Sequence, residues 1–129
     1  MRWLVDGMNV IGSRPDGWWR DRRGAQRALI DRLEAFAAAT GDEVAVVFDG
    51  RPLELAGEGR VQVGFASDGR GAADDAIAEW VAEDPDPAGI TVVTSDAELA
   101  ARVSRAGAEV APSGSFRRRL DEGATDRGT

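Results

Sequence analysis

Residues 4–9 read Leu-Val-Asp-Gly-Met-Asn, an apolar run that stops at Asp6 and turns at Gly7. Two later stretches, VVFDG at 46–50 and VVTSD at 92–96, end in the same way. Short apolar runs bounded by turn residues are typical of buried strands. The repeated ending therefore predicts three buried strands, each closed by an aspartate that is either a turn residue or part of a site.

Helical patterns alternate with strands along the chain. Strands are predicted at 3–5, 43–48, 60–65, 90–94 and 108–111, and apolar residues three or four apart predict helices at 25–39, 73–82 and 97–106. Gly41 and Gly107 are the expected helix stops, and Asp96 or Ser95 the expected cap of the third helix. The alternation predicts an α/β fold with an open, mostly parallel sheet covered by helices on both faces.

The length of 129 residues indicates a single domain with one real core. We place this domain at 1–121 and expect the polar segment 122–129 to be a disordered tail. No apolar run is long enough to span a membrane, and Asp6 interrupts the only N-terminal run that could serve as a secretion signal. A cytoplasmic protein is the resulting expectation.

Four residue types that carry much of enzyme chemistry are missing from the chain: Cys, His, Tyr and Lys. Their absence excludes thiolate nucleophiles, Ser-His-Asp triads, Schiff-base lysines and Walker A loops. The remaining tools are carboxylates, hydroxyls, amides and arginines. Carboxylate oxygens suit hard cations, so an enzyme built from this chain is expected to use Mg²⁺ or Mn²⁺.

The strand-ending aspartates are expected to meet in space. In a parallel α/β sheet the carboxyl ends of the strands lie along one edge, where ligands bind at the topological switch point. Asp6, Asp49 and Asp96 end three predicted strands, and Asp74 with Asp75 opens the second predicted helix at the same edge. Each aspartate alone is as well explained by a turn or a helix cap. Together they would repel one another unless a cation neutralises them, which favours a divalent metal site.

The stretches LVDGMNVIG, VVFDG, GAADDAI and VVTSDAEL, the last followed by GAEVAPSGSF, together resemble the NYN domain over roughly residues 2–121. The resemblance is to its YacP-like branch, in the PIN-like nuclease superfamily. It implies a three-layer α/β/α sandwich and an Mg²⁺- or Mn²⁺-dependent endoribonuclease acting on RNA, with mRNA engaged with ribosomes as one candidate substrate. By motif, Asp6, Asp74 and Asp96 would be the metal carboxylates, Asp49 an accessory acid and Asn9 a polar partner at or beside the ion.

Several polar residues near these motifs have two explanations each. Asp75 is a second metal ligand, a base or a helix-capping charge. Thr94 and Ser95 either orient a water or a phosphate oxygen, or are ordinary strand-end and helix-cap hydroxyls, which we favour. Asn9 either steadies Asp6 or begins a turn.

RNA binding has to be reconciled with a net charge of −7. The segment 13–27, SRPDGWWRDRRGAQR, has five arginines against two aspartates and follows the Asp6 loop directly. Aromatic rings interleaved with arginines are typical of single-stranded RNA clamps, because bases stack on the rings. The RNA-contacting residues predicted here and beside the other acidic motifs are Arg14, Trp18, Trp19, Arg20, Arg23, Arg51 and Arg70. One of the two tryptophans is equally well explained as a core anchor. The arginine run 117–119 either extends this surface or is the solvated face of a C-terminal helix, which we favour.

Three alternative functions are considered, and the sequence argues against two of them. A non-catalytic RNA-binding module of the same fold would gain from losing the acidic set, which speaks against it. A toxin-type PIN nuclease cannot be told apart by sequence, nor can RNA be told from single-stranded DNA or a monomer from an oligomer. A phosphatase of the haloacid dehalogenase type needs a second aspartate two residues after the first and a lysine, but this chain has Met8 there and no lysine.

Overall fold

A computed structural model describes residues 1–14, 16–54, 59–67, 69 and 71–127, with side chains described up to 122. The strands are β1 (Arg2–Asp6), β2 (Glu43–Asp49), β3 (Val61–Ala66), β4 (Ile90–Val93) and β5 (Glu109–Ala111). The helices are α1 (Gly7–Gly12), α2 (Arg22–Thr40), α3 (Ala72–Glu83), α4 (Ala97–Arg105) and α5 (Ser113–Arg127). Two 3₁₀ turns lie at Trp18–Arg20 and Pro87–Gly89.

The five strands form one sheet in the order β3-β2-β1-β4-β5, and every pairing is parallel. From β1 the chain first moves outward through β2 to β3, then returns to place β4 on the other side of β1. The topological switch point therefore lies between β1 and β4. Val5 is in register with Val93, so the residues that follow these two strands come side by side at this crevice.

Two apolar cores cover the two faces of the sheet. One contains residues of α1, α2 and α5 packed on the sheet, including Val10, Leu33, Phe48 and Phe116. The other contains residues of α3 and α4, including Ile77 and Val103. The fold is thus the three-layer α/β/α sandwich that the sequence predicts. None of the helices in the described ranges is long and apolar enough to cross a membrane.

The predicted elements match the observed ones closely. Gly41 and Gly107 end their helices with the left-handed backbone that favours glycine, at φ values of 75° and 106°. The short helix α1 and the first 3₁₀ turn were not predicted, because segments of six and three residues are too short to show a helical period. Helix α5 continues to Arg127, into the segment 122–129 expected to be a tail, so the domain boundary at 121 stays a prediction.

Gly7 is the point where β1 becomes α1, directly after Asp6. A Cβ atom at this position would overlap the buried ring of Phe48 on β2 and lie 3.0 Å from Val46 Cγ2. Helix α1 can therefore start over β2 only because residue 7 has no side chain. Gly12, at the other end of the same helix, has nothing within 4 Å of the corresponding Cβ position.

We expect Gly7→Ala to lower the free energy of unfolding by about 1–3 kcal/mol, because the added methyl forces Phe48 or α1 to move. Gly12→Ala is the matched control and should be neutral or stabilising by up to about 1 kcal/mol, since alanine is the better helix former. Urea denaturation of both variants measures this difference. Equal effects at the two positions would contradict the packing role of Gly7.

Candidate active site

Asp6 occupies the centre of the carboxyl edge, at the switch point between β1 and β4. Its side chain is buried, with 5% of the residue exposed. The Thr94 hydroxyl donates a hydrogen bond of 2.9 Å to Asp6 Oδ2. No ion pair to Asp6 occurs among the described residues. A buried carboxylate without a cationic partner is costly, which marks the position as a candidate site.

Thr94 connects the two acidic motifs on either side of the crevice. It is 1% exposed and follows β4 directly. While its hydroxyl donates to Asp6, the same oxygen accepts a hydrogen bond of 3.1 Å from the backbone N–H of Asp96. One side chain thus fixes both the orientation of the Asp6 carboxylate and the start of the loop that carries Asp96.

Asn9 fixes the same loop from the other side. Its amide oxygen accepts hydrogen bonds from the Ser95 backbone N–H at 2.8 Å and from the Ser113 hydroxyl at 2.6 Å. Ser113 is fully buried, and its own N–H donates to Ser95 Oγ at 2.9 Å. Both lone pairs of the Asn9 amide oxygen are therefore in use. Asn9 holds α1, the loop after β4 and the start of α5 together.

Two of the remaining acids, Asp49 and Asp96, also have structural roles, each through one oxygen. Asp49 Oδ1 accepts a hydrogen bond of 3.1 Å from the Ala73 N–H at the start of α3. Asp96 Oδ1 accepts from the N–H groups of Glu98 and Leu99, and so caps α4. In the described ranges, Oδ2 of both residues accepts no hydrogen bond, and the Asp74 side chain forms neither a hydrogen bond nor an ion pair. One oxygen of each capping acid and both of Asp74 are available.

The acids influence one another electrostatically, which places them at a common site. The pKa of Asp6 is raised to about 6, first by burial and then by the charges of Asp74 and Asp49. Hydrogen bonds from Thr94 and from the Asn9 backbone N–H act in the opposite direction. The pKa of Asp74 is also raised, mainly by burial and then by the carboxylates of Asp96 and Asp49. Repulsion of this kind is what a bound cation would relieve.

Asp75 lies next to Asp74 in the first turn of α3 but turns to a different partner. Its Oδ1 accepts a hydrogen bond of 2.9 Å from Arg102 Nη1, and its side chain is 66% exposed. Arg102, on the neighbouring helix α4, also acts to lower the pKa of Asp74. Sequence reasoning missed Arg102, because its approach depends on how α3 and α4 pack and leaves no local motif.

The acids fit a divalent cation in chemistry but do not form a finished cage. Among residues 1–14, 16–54, 59–67, 69 and 71–122, no group of three carboxylates stands in an arrangement that could hold an ion. The available donors are carboxylate oxygens, the ligands that Mg²⁺ and Mn²⁺ prefer. After burial, neighbouring carboxylates also contribute to the raised pKa of Asp6 and of Asp74. Asp74 and Asp96 are only partly buried, so their side chains have room to rotate.

The predicted RNA contacts begin with the loop after α1. Trp18 is half-buried and lines a cavity, whereas Trp19 is 59% exposed and meets the Trp18 ring edge to face at 6.1 Å. One of the two adjacent tryptophans thus faces inward and the other outward. Arg14 forms an ion pair with Asp121 of α5, a pairing that the sequence does not reveal.

The other predicted contacts are more exposed. Arg20 and Arg51 extend into solvent, and neither side chain forms a hydrogen bond or ion pair in the described part of the chain. Arg23 is exposed and donates to the Pro52 carbonyl at 3.5 Å. Arg70 lies outside the described residues. Arg22, not among the predicted contacts, donates to the Asp49 carbonyl at 3.3 Å and ties the start of α2 to the carboxyl edge.

Comparison with known protein families identifies the family of this chain. The family model of the YacP-like NYN domain matches residues 3–127. The chain belongs to the YacP-like NYN domain family. This confirms the resemblance seen in the motifs, and a nuclease fold supports a ribonuclease, a hydrolase of phosphodiester bonds, as the general class of the protein.

Solved structures agree with the family. The crystal structure of Rae1 (YacP) from Bacillus subtilis is 25% identical, with a TM-score of 0.82, over 99% of this chain and 78% of that one. A tryptophan-to-leucine variant of the same protein is 26% identical, with a TM-score of 0.79, over 98% and 77% of the two chains. None of the curated proteins compared with the chain matches it.

The raised pKa of Asp6 predicts a pH-dependent stability. Between its unfolded pKa near 3.8 and about 6, the folded state binds more protons than the unfolded state. The contribution of Asp6 to the free energy of unfolding therefore falls as pH rises through this window, by up to about 3 kcal/mol. Urea denaturation in EDTA should show Asp6→Asn gaining stability on wild type between pH 4 and pH 7. An equal difference at both pH values would contradict the assignment.

Thr94→Val should raise the pKa of Asp6 further and lower the free energy of unfolding by about 1–3 kcal/mol, because a buried acceptor and a backbone donor lose their partner. Thr94→Ser keeps the hydroxyl and is the matched control. Carboxyl-carbon NMR titration follows Asp6 directly, and urea denaturation follows stability. A pKa of Asp6 that is the same in both variants would show that the hydroxyl does not orient the carboxylate.

Proposed function

We propose that the chain is an endoribonuclease that hydrolyses phosphodiester bonds of single-stranded RNA and depends on Mg²⁺ or Mn²⁺. The observation that carries the proposal is Asp6: a buried carboxylate at the switch point whose pKa is raised by burial and by two neighbouring acids. A buried carboxylate that neighbouring acids repel is unfavourable for folding and for holding a polyanion unless a cation joins the acids. Membership of a family with a nuclease fold points to the same chemistry.

In this proposal Asp6, Asp74 and Asp96 would hold the ion, with Asp49 as an accessory acid. When bound, Mg²⁺ or Mn²⁺ supplies a water of lowered pKa and neutralises charge on the phosphate, so no histidine or lysine is required. Asp75 is placed outside this set, because it is exposed and paired with Arg102. Rotation of the partly buried Asp74 and Asp96 side chains would complete the site.

The residues around the acids position them. Thr94 holds the Asp6 carboxylate in one orientation through its 2.9 Å hydrogen bond. Asn9 holds the loop that carries Asp96 by accepting from the Ser95 N–H. Rigid support of this kind matters because catalysis by charge placement depends on groups that are already oriented before the substrate arrives.

RNA would approach over the arginine- and tryptophan-bearing loop. Trp19 has an exposed ring on which a base can stack, and Arg20, Arg23 and Arg51 lie exposed around the carboxyl edge. The resemblance to the family adds mRNA engaged with ribosomes as a candidate substrate. Comparing cleavage of one mRNA when free and when bound to ribosomes tests this part separately.

Cleavage of a labelled single-stranded RNA with Mn²⁺ or Mg²⁺ tests the main proposal. Asp6→Asn, Asp74→Asn and Asp96→Asn should each lose activity on the order of 100-fold or more, because each removes a charge that the site needs. Asp75→Asn, one residue from Asp74 in the same helical turn, is the matched control and should stay close to wild type. EDTA should stop the reaction.

Stability measurements separate lost chemistry from lost folding. Asp6→Asn is expected to be at least as stable as wild type at neutral pH, so its inactivity cannot be unfolding. Cleavage by Asp6→Asn at the wild-type rate would overturn the proposed role of the acids. Tight RNA binding by the wild type without cleavage in either ion would favour the non-catalytic RNA-binding module instead.

A further inference from the structure

A cavity of about 110 Å³ lies between α1, α2 and α5, away from the acidic cluster. All three helices start at the carboxyl edge of the sheet. Helix α1 follows Asp6, α2 is tied to the Asp49 carbonyl through Arg22, and α5 begins where Ser113 contacts Ser95. The cavity therefore lies in the helix layer that borders the proposed site.

Three arginines from three different helical segments meet at this cavity. Arg14 follows α1, Arg32 is on α2 and Arg117 is on α5, and all three line the cavity. Each forms an ion pair with Asp121: Arg14 and Arg117 through Oδ2, Arg32 through Oδ1. Arg117 also donates from Nε to Ser13 Oγ at 3.1 Å. Asp121 thus gathers three guanidinium groups into one place.

The charge at this cavity is positive. Three arginines face Asp121 and one further lining acid, Asp16, which leaves a surplus of one positive charge in a chain whose net charge is −7. A guanidinium has five N–H donors, more than these ion pairs use. Because the ion pairs already order the side chains, an anion that binds here has less conformational entropy to overcome.

The rest of the lining is apolar and includes one aromatic ring. Trp18 borders the cavity beside Leu29 and Leu120. The volume of about 110 Å³ is well below the ~300 Å³ at which small-molecule pockets begin. The cavity is therefore too small for a whole nucleotide and suits a single group of a polymer, with the adjoining base outside on the tryptophan.

We propose that this arginine cavity binds one phosphate of the RNA strand, away from the cleaved bond, with the adjoining base against Trp18. The proposal rests on the proposed function, since it assumes that RNA is the ligand. Arg14 is eight residues beyond Asp6, which is about 12 Å at the rise of an α-helix. That distance corresponds to about three to four nucleotides of stacked strand at ~3.4 Å each. The cavity would thus anchor the substrate and set its register at the acidic edge.

Fluorescence anisotropy with a labelled oligouridine in EDTA, over a series of salt concentrations, tests the proposal without requiring cleavage. Arg32→Gln should weaken binding about three- to tenfold and reduce the salt slope by about 0.7, the value for one lost phosphate contact on a single strand. Arg105→Gln, the same charge change at an exposed arginine of α4, should leave the slope unchanged. Trp18→Leu should weaken binding about fivefold or more with no change in slope.

Asp121→Asn separates an anion site from a purely structural clamp. If the cavity binds RNA phosphate, removing the competing carboxylate should strengthen RNA binding at least threefold, even as the thermal midpoint falls. Glu79→Gln, at an exposed residue of α3, controls for the change in net charge. Loss of stability with unchanged affinity would show a clamp only and overturn the proposal, as would an unchanged salt slope in Arg32→Gln.

Two further outcomes distinguish free phosphate from RNA as the ligand, and RNA binding from RNA cleavage. In one outcome, inorganic phosphate raises the thermal midpoint of wild type but not of Arg32→Gln, while the two proteins bind RNA with equal affinity. The cavity then takes free phosphate rather than RNA, and the proposal is wrong. If wild type binds RNA in the predicted manner but does not cleave it with Mn²⁺, the proposed nuclease activity fails while the arginine cavity stands.

Discussion

The contacts of the carboxyl edge are arranged around one energetically unfavourable feature, the burial of the Asp6 carboxylate at the end of the central strand. Only 5% of the residue is exposed, and no described arginine pairs with it. A hydroxyl hydrogen bond from Thr94 compensates part of the desolvation. The position persists because β1 is central in the sheet, with β2 and β4 paired on its two sides.

Much of the nearby sequence serves to make that burial possible. Gly7 lets α1 begin over Phe48, so the chain can leave the edge without exposing Asp6. Asn9 then ties α1 to the loop after β4 and to the start of α5. These contacts join segments about 90 to 100 residues apart in the chain. The support is stronger than a turn residue needs, which is the pattern of a preorganised site.

The fold could be predicted from the sequence because it follows from local patterns, and the prediction that the acids meet rests on the same patterns. Strand ends at Asp6, Asp49 and Asp96 can be read from apolar runs, and a parallel sheet then brings them to one edge. The role of Thr94 could not be assigned in the same way. Its hydroxyl serves Asp6 only because β4 pairs with β1, an order that no local pattern contains.

Dependence on contacts between distant segments also explains why the ion pairs at Asp121 could not be predicted from the sequence. Asp121 gathers Arg14, Arg32 and Arg117 across distances in sequence of up to 107 residues, and the arginines show no motif that connects them. The sequence favours the run 117–119 as the solvated face of a helix, whereas in the structure Arg117 contacts Ser13 and Asp121. Ion-pair networks between helices depend on how the helices pack against one another, which cannot be derived from a single sequence.

The two helix layers differ in charge, and this difference restricts where a polyanion can lie. Helix α2 has four arginines against two acids, whereas α3 has four acids and no basic residue. A polyanion that crosses the carboxyl edge would therefore be repelled on the α3 side and attracted on the α2 side. The net charge of −7 does not oppose RNA binding as such. Binding of a polyanion would be favourable on the α2 side only. That side ends at the acids of the carboxyl edge, whose charge a bound ion would have to neutralise.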